Sequence, residues 1–175
     1  MRDNKRDENG MSRNEFLYHN TEILLKKYRD VVWSIEASAI QAEISFELEM
    51  DCRLEEFLEM SYEAGADLSG THIQEQMRTL ERNKKMLKII EKSVGILRSS
   101  PVHGETYYWI VYFTYLSPRV CVSIEDIVQN VNEKTNEFMS RKTYFKHRKD
   151  AINKLSNLLW GFTSKDSSSI LEQFV

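Results

Sequence analysis

The sequence predicts an all-α protein in which a long N-terminal helical hairpin precedes a smaller helical domain. Three observations point there. Glycine and proline are scarce, six and two in 175 residues, and so few turn formers favour long helices over a sheet built on tight turns. Apolar residues recur at steps of three and four through residues 12–98, the period of one helix face. A last stretch, residues 140–161, combines a basic face with an apolar one at the same period, as suits a helix that packs on a core and meets an anion.

The termini and the composition bound the rest. Residues 1–11 are dominated by charged and amide side chains and are expected to form a disordered tail. No apolar run follows them, so no signal peptide is expected. Nowhere does the chain approach the roughly 20 apolar residues that span a bilayer, so no membrane contact is expected. Cys52 and Cys121 stand far apart and fit no disulfide or metal spacing, which makes a reduced, cytoplasmic setting the default. With 29% charged and 41% hydrophobic residues, the balance is that of an ordinary soluble domain.

The arm is expected to span residues 12–98. Leu24, Tyr28, Val31, Ile35, Ala39, Ala42 and Phe46 step by three or four and make a near-heptad seam. Leu54, Phe57, Leu58 and Tyr62 suit a short helix, after which the glycines of EAGADLSG break the chain. Ile73, Met77, Leu80, Leu87, Ile90, Val94 and Leu97 then mark a second long helix. The two seams suit a hairpin. They equally suit a homodimer through the long helices, because periodicity does not choose between them. Residues 43–63 hold eight acids and one arginine. A helical di-metal site needs Glu-x-x-His pairs, which this chain lacks, so these carboxylates are read as a solvated or partner-facing surface.

Ser99, Ser100 and Pro101 end the second helix, since a residue before proline is driven out of the α region. Residues 106–116, TYYWIVYFTYL, favour a strand by propensity. The spacing of Tyr108, Val111, Tyr112 and Tyr115 and the stop at Ser117-Pro118 favour a buried helix, and the helix is the expectation. Ser123 begins another, with Glu125 and Asp126 in its first turn and Ile124, Ile127, Val128 and Val131 on its buried face. Residues 132–139 are read as a connection. It is several residues longer than the roughly three or four of a helix-turn-helix turn and lacks the usual glycine.

The last helix is expected to be capped by Ser140, stapled at its entry by Phe138 and Met139, and stopped by Gly161. Its apolar stripe is Phe145, Ile152, Leu155 and Leu159, widened by Ala151 and Leu158. Lys142, Lys146, Lys149 and Asn153 fall opposite, flanked by Arg141, His147 and Arg148. Residues 162–175 are left as a tail.

An aromatic helix, an acid-capped helix, a turn and a basic helix, within residues 102–161, follow in the order of a helix-turn-helix domain. Tyr107, Tyr108, Ile110, Val111, Tyr115 and Leu116 come first, then Ser123-Ile124-Glu125-Asp126-Ile127. Ser140, Thr143, Tyr144, Arg148, Ala151, Ile152 and Leu155 complete the pattern. This wording resembles the C-terminal half of the ArpU-like and RinA-like regulators of phage late transcription and autolysin. That family in turn resembles the fourth conserved region of sigma factors, which reads promoter DNA. The resemblance covers residues 100–160. It implies a sigma-like DNA-binding domain at 102–161 and a transcription regulator whose partner is double-stranded DNA, with RNA polymerase as a second partner.

Charge agrees with a polyanion contact at one place. Residues 140–154 carry six Lys/Arg and one acid, hence +5, on a chain of net charge −3, which leaves −8 elsewhere. Groups near the start of a recognition helix reach base edges, so Arg141 or Lys142 is expected at guanine and Thr143 at a thymine methyl. Lys146, Lys149 and Lys154 are read as phosphate contacts. Tyr144 either bonds a phosphate or packs on the preceding helix, His147 is read as a rim residue, and Trp160 as core. Two rival readings stand beside this one: a salt-bridged surface helix, and a helical protein-interaction or scaffold module with an acidic surface. An enzyme is not expected. The chain has no Gly-rich phosphate loop, paired-Cys motif or HExxH, and His19, His72 and His103 are isolated. No cofactor and no metal are expected.

Overall fold

The computed structural model describes residues 13–160, with side chains from Tyr18 onward. The tails expected at 1–11 and 162–175, and the Gly161 stop, lie outside the described residues. All regular structure among the described residues is helical. In order it comprises α1 (Arg13–Met50), α2 (Leu54–Glu63), α3 (His72–Ile96), α4 (Gly104–Val111), α5 (Ile124–Thr135) and α6 (Arg141–Trp160). A 3-10 turn at Leu97–Ser99 extends α3, and a π-turn at Tyr112–Leu116 extends α4. Among these residues no helix is long and apolar enough to cross a membrane.

The chain divides into two compact units. Among the described residues, one holds those up to Arg29 and those from Ile90 on; the other is Asp30–Ile89. The boundaries fall inside α1 and α3, so the unit of α4–α6 takes in helix ends that periodicity assigned to the arm.

In the first unit the aromatic stretch is helical, as its spacing predicts and against its strand propensity. Its surroundings decide this. A strand among helices would leave its backbone N–H and C=O groups without a ladder. Thr106, Tyr107, Ile110, Val111 and Tyr115 are its buried residues. Tyr108 and Tyr112, expected on that stripe, are half-buried, and the Arg98 guanidinium lies 3.7 Å from the Tyr108 ring centre. Entry to α4 depends on Gly104, where a Cβ would come within 2.4 Å of the Arg98 carbonyl oxygen. At the exit, the Ser117 N–H donates to the Tyr112 carbonyl at 2.8 Å and closes the π-turn. Arg29 then donates to the Ser117 carbonyl at 2.8 Å and the Phe113 carbonyl at 3.2 Å, satisfying acceptors that a helix end leaves open.

Two core clusters meet on α4. Val111 packs with Leu25, Val94, Leu97, Ile152 and Leu155. Ile110 packs with Ile127, Val131, Met139 and Tyr144. Both α5 and α6 rest on α4 and on each other.

The second unit is more open. Phe46 of α1 meets Phe57 of α2 edge-on at 5.2 Å. Gly65 and Gly70, both at positive φ, break the chain between α2 and α3, as the sequence predicts. Among residues 30–89 only Ile35, Phe46 and Ser61 are buried. Val31 of the expected seam is exposed, and Leu80 and Leu87 are half-buried. Ser38, Ala42, His72, Thr79 and Leu80 line an open groove. Every carboxylate of residues 43–63 is exposed.

Candidate nucleic-acid interface

Ser123 and Asp126 start α5 with a reciprocal cap. The Ser123 hydroxyl accepts the Asp126 N–H at 3.1 Å, and the Asp126 carboxylate accepts the Ser123 N–H at 3.0 Å. The helix runs to Thr135, one turn past Val131, the last residue of its expected buried face. Residues 132–135 are polar, as a loop is, but the helix and its turn satisfy them. Thr135 returns its hydroxyl to the Val131 carbonyl at 2.9 Å, and the Asn132 side-chain oxygen accepts the Met139 N–H at 3.0 Å. Asn136 ends the helix at φ 54°, in the left-handed region that asparagine tolerates better than most. The turn is therefore residues 136–140, not 132–139, and it needs no glycine.

Ser140 caps α6 as expected. Its hydroxyl accepts the Thr143 N–H at 3.2 Å and lies 2.9 Å from the Thr143 hydroxyl. The staple joins Met139 to Tyr144; Phe138, expected to share it, is 93% exposed.

The inner face of α6 differs from the expected stripe. Tyr144 and His147, 3% and 8% exposed, turn inward with Ala151, Ile152 and Leu155, while Phe145 is exposed. Tyr144 can be buried because its hydroxyl lies 3.2 Å from that of Thr114, so its polar end keeps a partner. Neither Tyr144 nor His147 is placed to touch DNA from the outer face. The His147 ring centre is 4.5 Å from that of His103 and 5.5 Å from that of Tyr107, and its buried Nδ1 has no hydrogen-bond partner. Burial, then the nearby His103, holds the His147 pKa below the usual histidine value. Lys146 acts in the same direction, against Asp150 and Glu137.

Arg148 is also turned inward. It donates from Nε to the Tyr115 hydroxyl at 2.8 Å and from Nη2 to the Glu22 carboxylate. Burial alone would lower its pKa, but Tyr115 and Glu22 prevail and raise it. Burial pushes the Tyr115 hydroxyl up to about 12, so it stays neutral beside the guanidinium. For Glu22 burial opposes ionisation, yet the hydrogen bonds and charges of Arg148 and Lys26 win and lower its pKa. Ser156 and the Trp160 indole N–H both donate to the Thr21 hydroxyl, at 2.8 and 2.9 Å. The start of α1 thus clasps the inner side of α6.

The outer face is basic and open. Lys142, Lys146 and Lys149 step by four and three along α6, and all are exposed, with exposed Asn153 next in line. Among the described residues none of the three lysines has an ion-pair partner. Arg141 is exposed at the helix start but paired with Glu125 at 3.1 Å. Thr143 is half-buried and spends its hydroxyl in the cap. Lys154 is exposed with its ammonium 5.9 Å from the Tyr107 ring centre, off the three-lysine face. Of the expected set, then, three lysines come together, Arg141 and Lys154 flank them, Thr143 is structural, and Tyr144 and His147 belong to the core.

Sequence reasoning missed Phe145 as an exposed aromatic among the lysines and Arg148 as an internal tie. The first had a signal: Tyr144, His147, Ala151 and Leu155 form a rival stripe at helical steps. The second had none, because Glu22 lies 126 residues away. No family model matches the chain, and no curated protein or solved structure matches it either. The arrangement offers a cationic helix face on a packed support, and no group of three or more potential metal ligands forms among the described residues.

Proposed function

We propose that the chain is a sequence-specific, DNA-binding transcription regulator of phage late-gene type, with the outer face of α6 in the major groove. The observation that carries this reading is the trio Lys142, Lys146 and Lys149, exposed together and unpaired among the described residues, on a helix whose other face is buried. Exposed lysines without internal partners are free to neutralise phosphates, and this releases the counterions condensed on the duplex, a large share of the affinity for DNA. The succession of α5, the turn at 136–140 and α6, both helices resting on α4, supports a helix-turn-helix docking of the second helix.

Lys146 and Lys149 contact phosphates in this reading, and Lys142 and Arg141 reach base edges from the first turn. Arg141 must then exchange Glu125 for guanine. That ion pair is exposed, and such pairs contribute only about 0–1 kcal/mol, so the exchange costs little. RNA polymerase is the second partner proposed. Exposed Phe138 and Phe145 favour an alternative, a protein-interaction module without DNA binding.

A salt-titrated binding series on selected and scrambled duplexes separates the two. The DNA reading expects a log–log slope of about −0.9 per phosphate neutralised. Replacing Arg141 by alanine should cost about 1–3 kcal/mol at the preferred site and relax the preference there. Absence of binding at about 50 mM salt would put the protein-interaction reading in front.

A further inference from the structure

We propose that the unit Asp30–Ile89 is completed by a second copy of this chain, docked on an apolar stripe of α1 that a single chain leaves uncovered.

Trp33, Ala37, Ile40, Ile44 and Leu48 are spaced by four, three, four and four residues, which puts them on one side of α1. Trp33 is 71% exposed and Leu48 82%, with Ile40 and Ile44 more than half exposed. Ile35, Ala39, Ala42 and Phe46 occupy the opposite side, and Ile35 and Phe46 are buried. This part of α1 therefore has two apolar faces, of which one is covered. A helix at the surface of a finished fold has one apolar stripe. Single exposed apolar residues are ordinary, but a continuous exposed face marks an interaction site. The interior of the unit is small as well, since Ile35, Phe46 and Ser61 are its only buried residues.

Charge selects the occupant. Glu36, Glu43 and Glu47 border the stripe and are exposed. On α3, exposed Met86 and Ile89 continue a line from Arg78 and Arg82, spaced by four, four and three. Neither arginine has an ion-pair partner among the described residues. In a two-fold dimer each contact is made twice. The α1 stripe laid on Met86 and Ile89 of the second copy covers apolar surface on both sides. It also sets glutamates of each copy against arginines of the other, once on each side of the two-fold axis. Pairing α1 with α1 would instead bring glutamates toward glutamates. A second copy is thus the partner whose chemistry the chain itself supplies.

The test is the mass of the full chain in solution, by sedimentation without nucleic acid. The expected result is twice 20.7 kDa. Replacing Ile40 and Ile44 together by aspartate should weaken association on the order of a hundredfold or more, because each dimer would bury unpaired carboxylates. Both residues are exposed in the single chain, so helicity by circular dichroism should persist. Glu43→Arg with Glu47→Arg should weaken the dimer, and adding Arg78→Glu with Arg82→Glu should restore it. A monomeric wild type at tens of micromolar, or a dimer that survives the double aspartate change, overturns the proposal. Failure of the fourfold charge exchange to restore association overturns the pairing of α1 with α3. None of these outcomes bears on DNA binding.

Discussion

The two units carry the same helical periodicity and spend it differently. In the unit of α4–α6, Val94, Ile110, Val111, Val131, Ile152 and Leu155 are all fully buried. In Asp30–Ile89 an equally regular pattern leaves Val31 exposed and Leu80 and Leu87 half-buried. Spacing tells which residues share a face of a helix, whereas burial depends on how many elements converge there. The 3-10 turn after α3, α5 and α6 all pack on α4, and ties distant in sequence hold the enclosure: Arg148 to Glu22, Arg29 to the Phe113 carbonyl, Trp160 to Thr21. Long helix segments with one short companion have no comparable centre.

The largest effect should come from truncating the same residue type in each unit. Leu155→Ala removes a fully buried side chain and should cost about 2–5 kcal/mol. Leu80→Ala, at a half-buried position lining an open groove, should cost less than about 1 kcal/mol, because the site is already partly solvated. Urea unfolding monitored by far-ultraviolet dichroism measures both, and equal costs would break the comparison.

A smaller effect tests how closely the backbone of α4 is packed. Gly104→Ala places a Cβ against the Arg98 carbonyl and should destabilise by about 1–3 kcal/mol, the usual range for overpacking. Gly95→Ala, inside α3 with nothing within 4 Å of the new Cβ, should instead stabilise by up to about 1 kcal/mol through helix propensity. Opposite signs in the same melting series would sharpen the contrast between a tight approach and an open one.

Smaller still is a pH effect. The pKa of His147 is lowered in the folded chain, chiefly by burial, so the unfolded chain takes up its proton first. Its contribution to stability is intact above the ordinary histidine value of 6.5 and is lost as pH falls from there through the folded value. His147→Phe should flatten the melting temperature across this window, and it removes a buried Nδ1 that has no partner. An unchanged slope in the variant would mean that other groups carry the acid sensitivity.

The smallest expected effect on stability lies on the outer face of α6. Lys146→Ala and Lys149→Ala should change stability by no more than about 0.5 kcal/mol, since both side chains are exposed. On duplex DNA each should lower the salt slope by about one unit and weaken all sequences alike. A stability loss comparable to that of Leu155→Ala would show that these lysines support the fold rather than a ligand.

The sequence by itself determined what is local. Helix starts at Ser123 and Ser140, the break at Gly65 and Gly70, and the clustering of Lys142, Lys146 and Lys149 all follow from nearest-turn chemistry, which a few consecutive residues contain. The spacing of residues 106–116 pointed to a helix against their strand propensity, and their helical surroundings decided it. Tertiary structure alone decided which of two overlapping stripes on α6 turns inward. Phe145 and Tyr144 both suit a helix face, and Thr114, half-buried and 30 residues away, gives the tyrosine hydroxyl a partner on the inner side. It likewise made Arg148 a support rather than a ligand-facing cation, through Glu22 and Tyr115. Periodicity within one helix cannot rank two faces of similar hydrophobicity; the polar atoms waiting on the neighbouring helices do.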